Sequence, residues 1–128
     1  MKRSILFTGA LLALATVSTA AHAGPYANGS WVLAQWHGGQ YWFPGVVSSS
    51  TNSTVTVEFD DGSRETRPTN QVKPYNWRVG SKVQCNWKGA GEWYPGTITW
   101  ASNDGINLSI RYDDGDTEKT KTGKCRSL

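Results

Sequence analysis

Apolar and polar residues alternate from Trp31 to Trp36, with Val32, Ala34 and Trp36 on one side. That period of two is the pattern of a half-buried strand. The turn His37-Gly38-Gly39-Gln40 interrupts it, and Tyr41 to Val47 predicts a second strand with Pro44-Gly45 inside. Proline has no N–H to give to a ladder, so a bulge and a sharp bend are expected there. After a polar loop at Ser48 to Ser53, alternation resumes from Thr54 to Phe59, and Asp61-Gly62 signals a tight hairpin. Ser63 to Arg67 returns as a fourth strand. Pro68-Thr69-Asn70 then turns the chain into a short fifth strand at Gln71 to Lys73.

The whole pattern runs twice. Val32-Leu33-Ala34-Gln35-Trp36 returns as Val83-Gln84-Cys85-Asn86-Trp87, and Trp42-Phe43-Pro44-Gly45 as Trp93-Tyr94-Pro95-Gly96. Phe59-Asp60-Asp61-Gly62 returns as Tyr112-Asp113-Asp114-Gly115, with a longer loop before it. The second copy predicts strands at Lys82–Lys88, Glu92–Trp100, Ile106–Tyr112, Asp116–Lys121 and Lys124–Arg126. Repetition at a fixed period sets the architecture before any finer reading. The expected fold is all-β: two tandem five-stranded small barrels, one over residues 24–75 and one over 76–128, with no helix. Units this small bury little core and are marginal alone. The connection Pro74-Tyr75-Asn76 is too short for independent tumbling, so the copies are expected to pack together. Tyr26, Trp31, Trp77 and Trp100 are the aromatic residues available for that contact or for the small cores.

Residues 1–23 follow a different rule. Lys2 and Arg3 precede an apolar run from Ile5 to Val17, and Ala21-His22-Ala23 is a small-x-small cleavage site. Those three regions make a secretory signal peptide, too short and wrongly flanked for a membrane span. The expectation is an exported protein, periplasmic or secreted, cleaved after Ala23 and with no span in the remainder. Loss of Lys2 and Arg3 takes 13 basic and 10 acidic residues to 11 and 10, so a net charge of +3 becomes +1. Broad attraction to nucleic acid needs a concentrated basic face. Here only Lys119, Lys121, Lys124 and Arg126 cluster, and alternating lysines also protect a sheet edge. Nucleic acid therefore ranks low as a partner.

Cys85 and Cys125 both lie in the second copy, aligned with Ala34 and Val72 of the first. Two core-facing cysteines on the first and last strands of an exported module read as a disulfide. Free buried thiols are the competing reading. A metal site has less support, because His37 is the one histidine beyond residue 23 and no further soft ligand lies nearby. Asp113-Asp114-Gly115-Asp116 with Glu118 gathers four carboxylates, but without the spacing of a calcium-binding EF-hand loop. No cofactor is expected.

The ordered set Ala34-Gln35-Trp36, Trp42-Phe43-Pro44-Gly45 and Val55-Thr56-Val57-Glu58-Phe59-Asp60-Asp61-Gly62 with Glu65 resembles Tudor domains, in particular tandem Tudor and Agenet-like pairs. The resemblance covers Gly29 to Lys73 and Gly80 to Arg126. It implies strongly bent, five-stranded barrels of the SH3-like kind. It also implies an aromatic cage for methylated lysine or arginine. The cage tryptophan closes the first strand, a second aromatic precedes Pro-Gly, a third precedes Asp-Asp-Gly, and an acid completes it. Carried over by position, these are Trp36, Phe43, Phe59 and Asp61 in copy one, and Trp87, Tyr94, Tyr112 and Asp114 in copy two. The place after the glycine, aromatic in some family cages, holds Ser63 and Asp116.

The chemistry of such a site is general: each ring facing a cation contributes roughly 0.5–2 kcal/mol, more where water is excluded. The same aromatics also fill small cores, and an Asp-Gly pair is commonly only a turn. The expected function is non-enzymatic recognition of a peptide or protein bearing a cationic or methylated side chain. Alternatives are a module for cell-wall peptide or glycan, and an adaptor that adds a peptide strand to a sheet edge. Enzyme chemistry has the least support, since His37 has no evident nucleophile beside it.

Overall fold

A computed structural model describes residues 24–128; residues 1–23, the expected signal peptide, lie outside them. The first unit comprises β1 (Trp31–Gln35), β2 (Trp42–Ser50), β3 (Thr54–Phe59), β4 (Arg64–Pro68) and β5 (Val72–Pro74). The second comprises β6 (Lys82–Asn86), β7 (Trp93–Ala101), β8 (Asn107–Tyr112), β9 (Thr117–Lys121) and β10 (Cys125–Arg126). Each forms an antiparallel sheet of one topology, β4-β3-β2-β1-β5 and β9-β8-β7-β6-β10. No α-helix occurs among the described residues; single 3-10 turns follow β1, β4, β6 and β9. The all-β expectation and its tandem five-stranded units stand.

The long second strand does bend, but not where its proline falls. Pro44 and Gly45 stay in register with Leu33 and Val32, and the bulge comes between Val47 and Ser49. Copy two puts it at the equivalent place, between Ile98 and Trp100. The glycines serve close packing instead. A Cβ on Gly45 would sit 2.4 Å from Val57 and 2.9 Å from the Glu58 carbonyl, and one on Gly96 would sit 2.8 Å from Ile110. Only a residue without a side chain lets β2 pair so closely with β3, and β7 with β8, at these points.

The two cores are unequal. Val32, Ala34, Val47, Val55, Val57, Phe59 and Val72 form the first. The second holds Val83, Ile98, Leu108, Ile110, Tyr112, Trp77 and the Cys85–Cys125 disulfide, and it also takes in Leu33 from β1. Simple alternation would turn Leu33 outward, away from Val32 and Ala34. All three are fully buried, because the outward side of β1 meets the second barrel. Each such leucine is worth roughly 2–3 kcal/mol when removed from water.

Further ties hold the barrels together. Ser127 exchanges two backbone hydrogen bonds with Trp42, at 2.7 and 3.0 Å, and is itself anchored within barrel two, where its hydroxyl accepts from the Trp77 indole at 3.3 Å. Trp31 meets Tyr75 edge to face at 5.3 Å, and Tyr75 meets Trp77 at a tilt at 5.6 Å, carrying aromatic contact through the connection. Tyr26 packs on the first core, whereas Trp100 joins neither core nor contact and is half exposed.

The disulfide joins directly opposed residues, Cys85 on β6 and Cys125 on β10, where barrel one pairs Ala34 with Val72. On the chain-entropy model, closing a loop with this sequence separation of 40 contributes about 4 kcal/mol.

Candidate functional site

The tryptophan that ends the first strand of each unit is set by one repeated device. After Trp36 and Trp87 the chain enters the left-handed region, at His37 (φ 54°) and Lys88 (φ 53°). Such a φ is uncommon for residues other than glycine, so the surroundings must hold it. In both copies a buried-side glutamate on the fourth strand does so. The His37 N–H donates to Glu65 at 2.8 Å, and the Lys88 N–H donates to Glu118 at 3.0 Å. The Glu of the Asp-Asp-Gly-x-x-Glu run is therefore a brace for the tryptophan turn, a role the sequence did not reveal.

From that shared frame the copies diverge. In barrel two, Trp87, Tyr94, Tyr112 and Asp114 all line one open pocket of about 360 Å³, together with Pro95, Asp113 and Asp116. The Trp87 and Tyr112 rings meet edge to face at 5.4 Å. Tyr112 is buried, and its hydroxyl donates to Glu118 at 2.6 Å, so the glutamate brace fixes two of the three rings. Tyr94 is more exposed, and its hydroxyl donates to Glu92. Burial, with the hydrogen bond to Glu118 second, pushes the Tyr112 phenol well above its usual range. The Glu92 hydrogen bond raises that of Tyr94. Both rings therefore stay neutral.

Asp114 also serves its own turn, accepting from the Asp116 N–H at 2.9 Å. Three carboxylates on the rim of a ring-lined pocket give it a negative potential that favours cations. From sequence Asp113 and Asp116 read as parts of an acidic hairpin run and not as members of the cage; the structure places both on the pocket wall. Among the described residues no group of three or more His, Cys, Asp or Glu is placed to hold a metal ion.

Barrel one disperses the matching four residues. Phe59 is buried in the core. Its exposed edge lines a different groove, with Trp31, Pro44, Asp60 and Ile106 and without Trp36, Phe43 or Asp61. Trp36 stacks on His37 at 3.9 Å and meets Phe43 at 6.0 Å. Phe43 is then taken by the neighbouring barrel, edge to face with Trp93 at 5.8 Å. Trp93 carries the stack on to Arg126, whose guanidinium lies 4.3 Å from it and 3.7 Å from Tyr41. Asp61 caps its own hairpin, accepting from the Ser63 N–H and hydroxyl at 2.9 and 2.6 Å, which holds its carboxyl below the usual range. The same sequence signal thus yields a pocket in one copy and an inter-barrel stack in the other.

No family model matches this chain, and neither does any of the curated proteins. Solved structures do. The Crb2 tandem Tudor domains superpose with a TM-score of 0.59 at 18% identity, covering 84% of this chain and 83% of that one. The ADCP1 tandem Agenet domains 3-4 give 0.35 at 13% identity, over 88% and 84% of the two chains. The AGD34 pair of Arabidopsis thaliana AGDP1 gives 0.36 at 14%, over 88% and 86%. At such identities the first likeness speaks to fold: this chain has the architecture of a tandem Tudor pair.

Proposed function

We propose that this is an exported, non-enzymatic binding protein whose second barrel takes a cationic group, in particular a methylated ammonium on a peptide. The observation that carries this reading is convergence: Trp87, Tyr94, Tyr112 and Asp114 line one pocket with further carboxylates at its rim. Rings supply cation–π attraction and methyl contact, and the carboxylates select positive charge. The Cys85–Cys125 disulfide supports export, since such bonds persist in oxidising compartments.

Amide NMR of the oxidised mature protein tests the reading, with a trimethyl-lysine peptide, its unmodified counterpart and a soluble wall fragment added in turn. Shifts centred on Trp87, Tyr94 and Tyr112 with the methylated peptide alone are expected. Shifts there with the wall fragment alone would replace this reading with a wall-binding module.

A further inference from the structure

The outer face of the second sheet carries a charge pattern that neither its fold nor the ring-lined pocket requires. Directly opposed residues share a face of a sheet, so the register defines three rows on this one. Lys82, Thr97, Arg111 and Thr117 form the first, Trp100, Ser109 and Lys119 the second, and Asn107 and Lys121 the third. Four cations and one large aromatic ring occupy these rows, with no carboxylate among them. Arg111, Lys119, Lys121 and Lys82 are exposed, and Trp100 is 48% exposed. Beyond β9 the face continues into a shallow groove of about 620 Å³, where Lys88 and Lys124 join Trp100, Asn107, Lys119 and Lys121. Glu118 is the one carboxylate in that groove, and both its oxygens are engaged, by the Tyr112 hydroxyl and the Lys88 N–H.

The first barrel is an internal control. Its matching rows read Trp31, Val46, Glu58 and Arg64, then Ser49, Thr56 and Thr66, then Thr54 and Pro68, with Trp31 taken up by its edge contact with Tyr75. Its charges pair with each other: Arg64 lies 3.8 Å from Glu58, while Glu65 meets His37 at 2.8 Å and Arg67 at 3.9 Å. Those are all the ion pairs among the described residues, and none involves the second barrel. One scaffold therefore accepts a neutral, self-paired outer face, and edge protection needs no more than that. Concentrating unpaired cations around an exposed tryptophan is a property of copy two alone.

We infer that this face binds an acidic polysaccharide, with Trp100 stacking on a sugar ring and Lys119, Lys121 and Arg111 meeting its acid groups. The cations are spread over three strands rather than gathered at a point, which fits a chain better than a single small anion. Residues two apart on a strand lie roughly 7 Å from each other, so Lys119 and Lys121 present successive charges along β9. One ring is too few to stack successive bases, the usual means of holding a single-stranded nucleic acid. The groove adjoins the Trp87 pocket at Lys88, whose ammonium lies 5.1 Å from the Trp87 ring, and at Glu118, but Trp100, Lys119 and Lys121 line the groove and not the pocket.

The test uses the mature, oxidised protein and three probes: a polygalacturonate oligomer, neutral dextran of similar length, and a single-stranded oligonucleotide. Polygalacturonate should bind and dextran should not, with affinity falling roughly tenfold or more between about 50 and 200 mM salt. The double variant Lys119→Ala/Lys121→Ala should weaken binding at least about tenfold and reduce the salt slope by about 2. Trp100→Ala should weaken it severalfold, and Arg64→Ala, on the matching face of barrel one, should leave it unchanged. Because the substituted side chains are exposed, amide spectra of the variants should keep the parent dispersion. Absence of polygalacturonate binding, equal binding by the lysine variant, or a preference for the oligonucleotide would each overturn the inference.

Discussion

Barrels one and two share strand order, the position of the bulge, the closely paired Pro-Gly and the glutamate brace, yet they present different surfaces. Barrel one spends its aromatic residues on its neighbour. Phe43 packs on Trp93, Tyr41 covers Arg126, and Leu33 completes the other barrel's core. Barrel two keeps Trp87, Tyr94 and Tyr112 around an open pocket and Trp100 on an open face. Duplication supplied the scaffold twice, and packing one copy against the other left only the second with its motif aromatics gathered around an open pocket.

The largest effect should come from giving barrel two the residues of barrel one at the staple. The variant Cys85→Ala/Cys125→Val copies the Ala34–Val72 pair. It should lose about 4 kcal/mol in denaturant unfolding. An unchanged midpoint would show that the disulfide is not what stabilises the second copy.

Next is Leu33→Ala, which opens a cavity in a core belonging to the other barrel. A loss of about 3 kcal/mol is expected, and the Trp77 indole N–H resonance should report loosening in barrel two although the substitution lies in β1. If only barrel-one amides respond, the shared core is not the coupling.

A smaller effect sharpens the contrast in binding. Trp87→Ala should weaken the methylated peptide at least about tenfold, whereas Trp36→Ala should change it by less than about twofold. Calorimetry on both variants decides, and equal losses would return barrel one to the role of a second site.

The last effect appears only in alkali. The Tyr112 phenol is held above its ordinary value, mainly by burial and then by Glu118, so the folded state retains a proton that the unfolded chain releases near pH 10. The stability this contributes is fully present below pH 10 and is lost as the pH rises toward the folded-state value. Barrel two should therefore weaken above about pH 10. Phenolate absorbance should show Tyr112 ionising together with unfolding rather than with the exposed tyrosines.

Much of the fold was legible because each strand carries its own evidence. Thr54 to Phe59 alternates cleanly and forms β3 with those bounds, and repetition of the pattern made the tandem arrangement readable. The cysteine pair followed from alignment with Ala34 and Val72, which the ladder places opposite each other. The bulge was misplaced by assigning it to Pro44-Gly45, because a glycine required for close pairing and one required for a bend look alike in sequence.

The features readable along the chain are local and repetitive: strand periods, turns, the doubled unit and the paired cysteines. These depend on residues near in the chain or on matching positions of the repeat. Which aromatic residues stay free depends on how the two barrels pack. Phe43 and Tyr94 occupy the same place in the motif, but Phe43 meets Trp93 across the interface and Tyr94 faces the pocket. That difference arises from contacts between residues about 50 positions apart, set by how two barrels bury apolar surface on one another, and such contacts leave no period in the chain.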